Sequence, residues 1–198
     1  GTWSVSVSAS SCHDDIGQIA GAPNGQPDIL EAVTGLPCHS GADGPESYVP
    51  ALYATATGDG LTWPSSLAPA GPWSPVPPKT CPMVLDEEGT RRGYPCFRPG
   101  ALPIILLFGD NSFHNGPGGS ASYSFESPQF DETITALNGI GARVIGINSG
   151  TSLADYEATA SGTGTVDSDG NPIVWVSKLA RKPVQLIPGC ELVEPMAA

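Results

Sequence analysis

Residues 104–110 read Ile104-Ile105-Leu106-Leu107-Phe108-Gly109-Asp110, and this stretch decides the fold. Five consecutive apolar side chains without alternation fit a strand buried on both faces, as in a parallel sheet. Further along, Phe130 to Ile140 sets Phe130, Ile134, Leu137 and Ile140 on one helical face, and Gly141 ends the helix. Arg143-Val144-Ile145-Gly146-Ile147 is a second buried strand. Leu153 to Ser161 reads as a short helix with Thr151 or Ser152 as its cap. Ile173 to Val176 is a third strand after the turn Asp167-Ser168-Asp169-Gly170, and Val184 to Ile187 is a further short strand or the entry to a helix. Strand–helix–strand alternation at this spacing predicts an α/β fold, a mostly parallel central sheet with helices on both faces.

Upstream, Trp3 to Ala9 alternates apolar and polar residues, the period of a half-buried strand. Cys12 to Gly44 is mostly loop, with a short helical turn at Asp28 to Val33 capped by Asp28. Pro45-Glu46 opens a helix through about Ala56, with Tyr48, Leu52 and Tyr53 on its apolar side. Pro45 suits the first helical position, and Pro50 must lie within the first turn. Residues 58–99 hold Trp63, Trp73 and a proline cluster. They read as one long surface insertion in a single domain spanning 1–198.

The chain has 198 residues, of which 25 are Gly and 21 Pro. That content excludes a helical bundle or coiled coil, and no G-X-Y period supports collagen. With 8 Lys and Arg and a net charge of −12, the chain lacks the basic surface that nucleic acid or anionic membrane requires. The apolar run from Leu102 to Phe108 is too short to span a bilayer. Five cysteines occur without C-x-x-C, which with low Lys suits a secreted or cell-surface location. Cys81 with Cys96 is the expected disulfide, since both flank one insertion, and Cys12 with Cys38 a second. Cys190 is then a free thiol, an intermolecular bridge or the mate of a missing cysteine. The start at Gly1 without Met leads us to expect a processed or excised segment.

Two acidic segments carry the chemistry. Asp43-Gly44-Pro45-Glu46 stands at a helix start, and Asp110 ends a buried strand with His114 close behind. Ligands of open α/β sheets bind beyond the carboxyl ends of the strands. Carboxylates converging there would hold a hard cation, Ca²⁺ or Mg²⁺, through oxygen. Each residue also has a plainer explanation. Asp43 and Glu46 can serve the helix start, Asp110 a turn, and His114 packing. Asp167, Asp169 and Gly170 lack the later acids of a calcium loop and read as a turn. Cys12-His13 and Cys38-His39 fit no zinc-finger spacing, so a disulfide is favoured there. Trp63 and Trp73 either anchor a partner or pack on their own domain. G-x-S-x-G is absent and no hydrolase constellation is present, so an enzyme is not expected.

Four pieces in order resemble a von Willebrand factor A-type domain, closest to the integrin β-subunit version and its secreted bacterial relatives. Asp43 to Glu46 resembles the D-x-P-E turn. Ile104 to Asp110 with Phe113-His114 resembles the strand whose terminal Asp precedes an aromatic-His pair. Glu132 to Asn148 resembles the E-x-I-x-x-L-N-x-I-G-x-x-V-I-x-I helix and strand, and residues 151–176 fit the elements that follow. The resemblance implies a metal-ion-dependent adhesion site. Glu46 would touch the primary and a neighbouring cation, Asp43 and the Pro45 carbonyl the neighbouring one, and Asp110 the primary or adjacent site. The family's D-x-S-x-S loop and first strand are missing, which makes this a truncated or processed version. Either a separate piece completes the site or the site is degenerate. The resemblance implies adhesion to a protein partner, itself a second fragment of the same precursor or another copy. The alternative is a structural subunit of an extracellular surface assembly or filament with a degenerate metal site.

Overall fold

The two apolar runs become adjacent strands of one parallel sheet. The computed structural model describes residues 44–62, 76–83, 89–150 and 152–176. Among them α1 is Tyr48–Thr57, β1 Ile104–Gly109, α2 Phe130–Gly139, β2 Arg143–Asn148, α3 Ala154–Gly162 and β3 Val174–Val176, with a 3-10 turn at Pro117–Gly119. The sheet order is β1-β2-β3. Ile104 pairs with Arg143 and Gly109 with Asn148, while Gly146 pairs with Val174 and Asn148 with Val176. This is the α/β pattern expected from the strand–helix alternation.

Local sequence explains most boundaries. At α2, Gln129 and Glu132 form a reciprocal capping box, and Asp131 and Glu132 complement the positive end of the helix. Its exit uses Gly141 at φ 70°, whose N–H reaches the Asn138 carbonyl at 2.9 Å. α1 begins at Tyr48, three residues later than a start at Pro45 predicts. The reason is tertiary. Glu46 forms a parallel bridge to Phe113, donating its N–H to Ser112 O and accepting from His114 N, both at 2.8 Å. Its backbone is held extended and cannot enter the helix. Pro50 does fall in the first turn, as it must. At α3 no side chain caps the helix, and Leu153 occupies the cap position in a helical conformation. Ser152 therefore does not play the expected role, and Thr151 lies outside the described residues.

The core forms on one face of the sheet. Val49, Leu52 and Ala56 of α1, Leu107, Phe113, Leu137 of α2, Val144 of β2 and Tyr156 of α3 make one buried cluster. Register puts Ile105, Leu107 and Gly109 on this face with Val144, Gly146 and Asn148. The opposite face carries Ile104, Leu106 and Phe108, which are 56%, 52% and 56% exposed, and Trp175, at 68%. The sequence reading expected β1 buried on both faces and helices on both sides. Among the described residues all three helices pack on one side.

The Cys81–Cys96 disulfide forms as expected, with Cα atoms 5.4 Å apart. It closes the end of the insertion, which contacts the C-termini of two helices. Neither α1 nor α2 has a basic residue in its last turn. Arg92 donates to Gly139 O at 3.3 Å, and Lys79 N donates to Gly58 O at 2.7 Å. The insertion thus brings the Arg92 guanidinium to one helix end and the Lys79 backbone N–H to the other. Among the described residues no helix is long and apolar enough to cross a membrane. Trp3–Ala9, Asp28–Val33, Cys12, Cys38, their neighbouring histidines, Trp63, Trp73, Val184–Ile187 and Cys190 lie outside the described residues.

Candidate functional site

β1 delivers Gly109 and Asp110 to the carboxyl end of the sheet. On the core side of Gly109 stand two phenols. A Cβ added at Gly109 would overlap the hydroxyls of both Tyr48 and Tyr156. These tyrosines come from α1 and α3, are 3% and 0% exposed, and clasp Phe113 edge-on at 4.8 Å each. Glycine is therefore required here by space, since Gly109 is not among the positive-φ residues.

Beside this pair lies Asn148, the register partner of Gly109, completely buried. Its Oδ1 accepts the Gly150 N–H at 2.8 Å. Its Nδ2 has no hydrogen-bond partner, while the Tyr156 hydroxyl lies against that of Tyr48. Buried polar groups of native proteins are nearly always satisfied, and among the described residues the Asn148 amide is an exception at this end of the sheet. Gly150 packs so tightly on Asp110 that a Cβ there would overlap the Asp110 carbonyl.

The acids sit over this floor. The Glu46–Phe113 bridge fixes the Glu46 backbone next to the loop that follows Asp110. Asp155, in the first turn of α3, accepts the Phe113 N–H at 2.7 Å and ties the same loop to the third helix. Burial pushes the Tyr48 phenol up to about 12, and the negative charges of Glu46 and Asp110 add to the effect. Burial also raises Tyr156, helped by Tyr48 and by the same two carboxylates. Both phenols are neutral donors at ordinary pH, and both carboxylates lie within their electrostatic reach.

Glu46 and Asp110 lie near the carboxyl end of the sheet, and Asp43 lies outside the described residues. Among the described residues no group of three or more His, Cys, Asp or Glu side chains is placed to hold a metal ion. A hard cation takes roughly six to eight oxygens, more than these two carboxylates and nearby carbonyls supply. His114 has a packing role. Its ring stacks on Tyr123 at 4.0 Å, its Nδ1 donates to Ala121 O at 2.6 Å, and Tyr123 stacks on Phe125 at 4.6 Å. A hydrogen bond between Ser47 and Tyr123 joins this aromatic ledge to the start of α1. Asp167 serves a turn. Its Oδ1 accepts from the N–H groups of Asp169 and Asn171, each at 2.9 Å, and the Asn171 hydrogen bonds hold its carboxyl below the usual range.

Sequence reasoning missed Tyr48 and Tyr156 as polar groups, and missed Asn148, Asp155 and Tyr123. The available signal was weak: tyrosine in place of phenylalanine on two apolar helix faces, and an asparagine closing a buried strand. Comparison with protein-family models, curated proteins and solved structures finds no match for this chain.

Proposed function

We propose that this chain is an extracellular adhesion or protein-binding domain of von Willebrand A type, using Ca²⁺ or Mg²⁺ at the carboxyl end of its sheet. The observation that carries the proposal is the convergence of Glu46 and Asp110 from distant segments over a buried floor that includes the unsatisfied Asn148 amide. Glu46 and Asp110 offer carboxylate oxygens, and Asp43 and the Pro45 carbonyl belong to an adjacent position. An acidic group of the partner completes the shell. The test is calorimetric titration with Ca²⁺ and Mg²⁺, with melting curves in EDTA. A cation present at about 100 times its dissociation constant should stabilise the fold by about 2.7 kcal/mol. Glu46→Gln and Asp110→Asn should each remove that gain. Indifference of the wild-type chain to both cations and to EDTA would overturn the proposal.

A second function, a structural subunit of an extracellular assembly, is favoured by the exposed Ile104, Leu106, Phe108 and Trp175. Large exposed apolar patches commonly mark interaction surfaces. It predicts large assemblies by light scattering that survive EDTA and both substitutions.

A further inference from the structure

The amino end of the sheet carries a cleft of the opposite charge to the Glu46 and Asp110 end. Its volume is about 440 Å³, and Lys79, Arg91 and Arg92 line it. The C-termini of α1 and α2 meet it, just before β2 begins. The described residues contain five Lys and Arg, and three of them gather here, in a chain whose net charge is −12. Lys79 and Arg91 are half-buried. Thr80 and Thr90 add hydroxyls, and Ala56 and Ile140 add apolar surface. Like charges around a concave space repel one another unless an opposite charge is shared among them. The volume lies within the roughly 300–1,000 Å³ of small-molecule sites.

Both strips of chain that carry these cations are fixed in advance. Lys79 N donates to Gly58 O at 2.7 Å, and the Cys81–Cys96 disulfide follows. Arg92 and Phe97 exchange backbone hydrogen bonds at 3.2 and 2.8 Å, and Tyr94 N donates to Thr55 O at 2.9 Å. Gly93 lies so close to α1 that a Cβ there would come within 2.5 Å of Thr55 O. The helix-end carbonyls, which would repel an anion, are covered. Gly58 O accepts from Lys79 N and Gly139 O from Arg92. The Arg92 bond uses Nη1, and the rest of its planar fork of donors can serve a second acceptor. We propose that this cleft binds a small molecule bearing carboxylate, phosphate or sulfate groups. Arg92 supplies directional hydrogen bonds to the oxyanion, and Lys79 and Arg91 supply charge. The apolar surface of Ala56 and Ile140 faces the rest of the ligand. The site lies at the other end of the sheet from the cation-dependent function proposed above and does not rest on it. The competing source of negative charge is the chain's own Asp86-Glu87-Glu88, which stands between Cys81 and Gly89 in sequence and lies outside the described residues.

The experiment is calorimetric titration of the full chain with inorganic pyrophosphate and with citrate, in buffer free of divalent cations. Saturable binding of at least one probe is expected. Preference for pyrophosphate would assign a phosphorylated ligand and preference for citrate a carboxylate one, and either supports the site. Lys79→Gln keeps the backbone bond to Gly58 and should weaken binding at least about tenfold, the loss expected for a hydrogen bond to a charged group. Arg92→Gln should weaken it by at least as much, and Lys79→Arg should restore most of the affinity. Raising the salt from about 50 to about 500 mM should weaken binding further, since the contact is between charges. Melting curves check that both Gln variants stay folded. Absence of saturable binding to the native chain would overturn the proposal. So would an affinity unchanged in folded Lys79→Gln and Arg92→Gln, which would put the anion elsewhere. Binding that appears only when Asp86→Asn, Glu87→Gln and Glu88→Gln are combined would assign the cleft to the chain's own acids and overturn it as well.

Discussion

Gly109→Ala tests whether the two phenols converge at the end of β1. The backbone at Gly109 suits any residue, as its φ is not positive. In an open strand the substitution would stabilise by roughly 0.5–1 kcal/mol, because alanine restricts the unfolded chain. Here the new methyl would occupy the space of both hydroxyls and come within 2.5 Å of the Tyr48 ring carbon Cζ. Relief requires moving two side chains that are 3% and 0% exposed and that grip Phe113 between them. Forcing extra volume into a packed core costs about 1–3 kcal/mol, and shifting two phenols at once belongs at the upper end. The net expectation is a loss of about 2 kcal/mol in urea denaturation. Tyr156→Phe in the Gly109→Ala background should recover part of it, because one clashing oxygen is gone. Recovery will be incomplete, since Tyr48 still blocks the methyl. A Gly109→Ala protein within about 0.5 kcal/mol of wild type, or more stable, would refute the convergence.

Two further outcomes follow from the same site. The Tyr48 phenol is raised from 10.0 to about 12 in the folded chain, so its contribution is complete below pH 10. It is lost as pH rises from there through the folded value, because the unfolded chain ionises first. The loss is about 2 kcal/mol after allowance for solvent screening. Urea midpoints at about pH 8 and about pH 11 should fall less in Tyr48→Phe than in wild type, and an equal fall would contradict the assignment. Asp155→Ala should cost about 1–3 kcal/mol by leaving the buried Phe113 N–H without its acceptor. The Phe113 amide should then exchange faster than its neighbours in β1, and an unchanged rate would show that the bond contributes nothing.

Much of the local structure was legible in the sequence. The run Ile104 to Phe108 announced β1, the spacing of Phe130, Ile134 and Leu137 announced α2, and Gly141 its end. These features follow from residue periodicity and backbone sterics, which act within a few residues. The Cys81–Cys96 bridge was legible too, because the insertion it closes was visible as a composition change. The start of α1 was not. Pro45-Glu46 has good local reasons to begin a helix, but pairing with the segment after β1 overrides them.

Sequence by itself therefore determined the element types, the parallel strand pattern and the acidic residues at Glu46 and Asp110. Tertiary structure alone decided which face of β1 is covered and that Glu46 is tied beside the loop after Asp110. It also decided that the hydroxyls of Tyr48 and Tyr156 fill the space Gly109 leaves. The physical reason is range. Periodicity and turn chemistry operate over one or two turns of chain, whereas these meetings join residues about 45 to 110 positions apart and depend on the side to which each crossover returns.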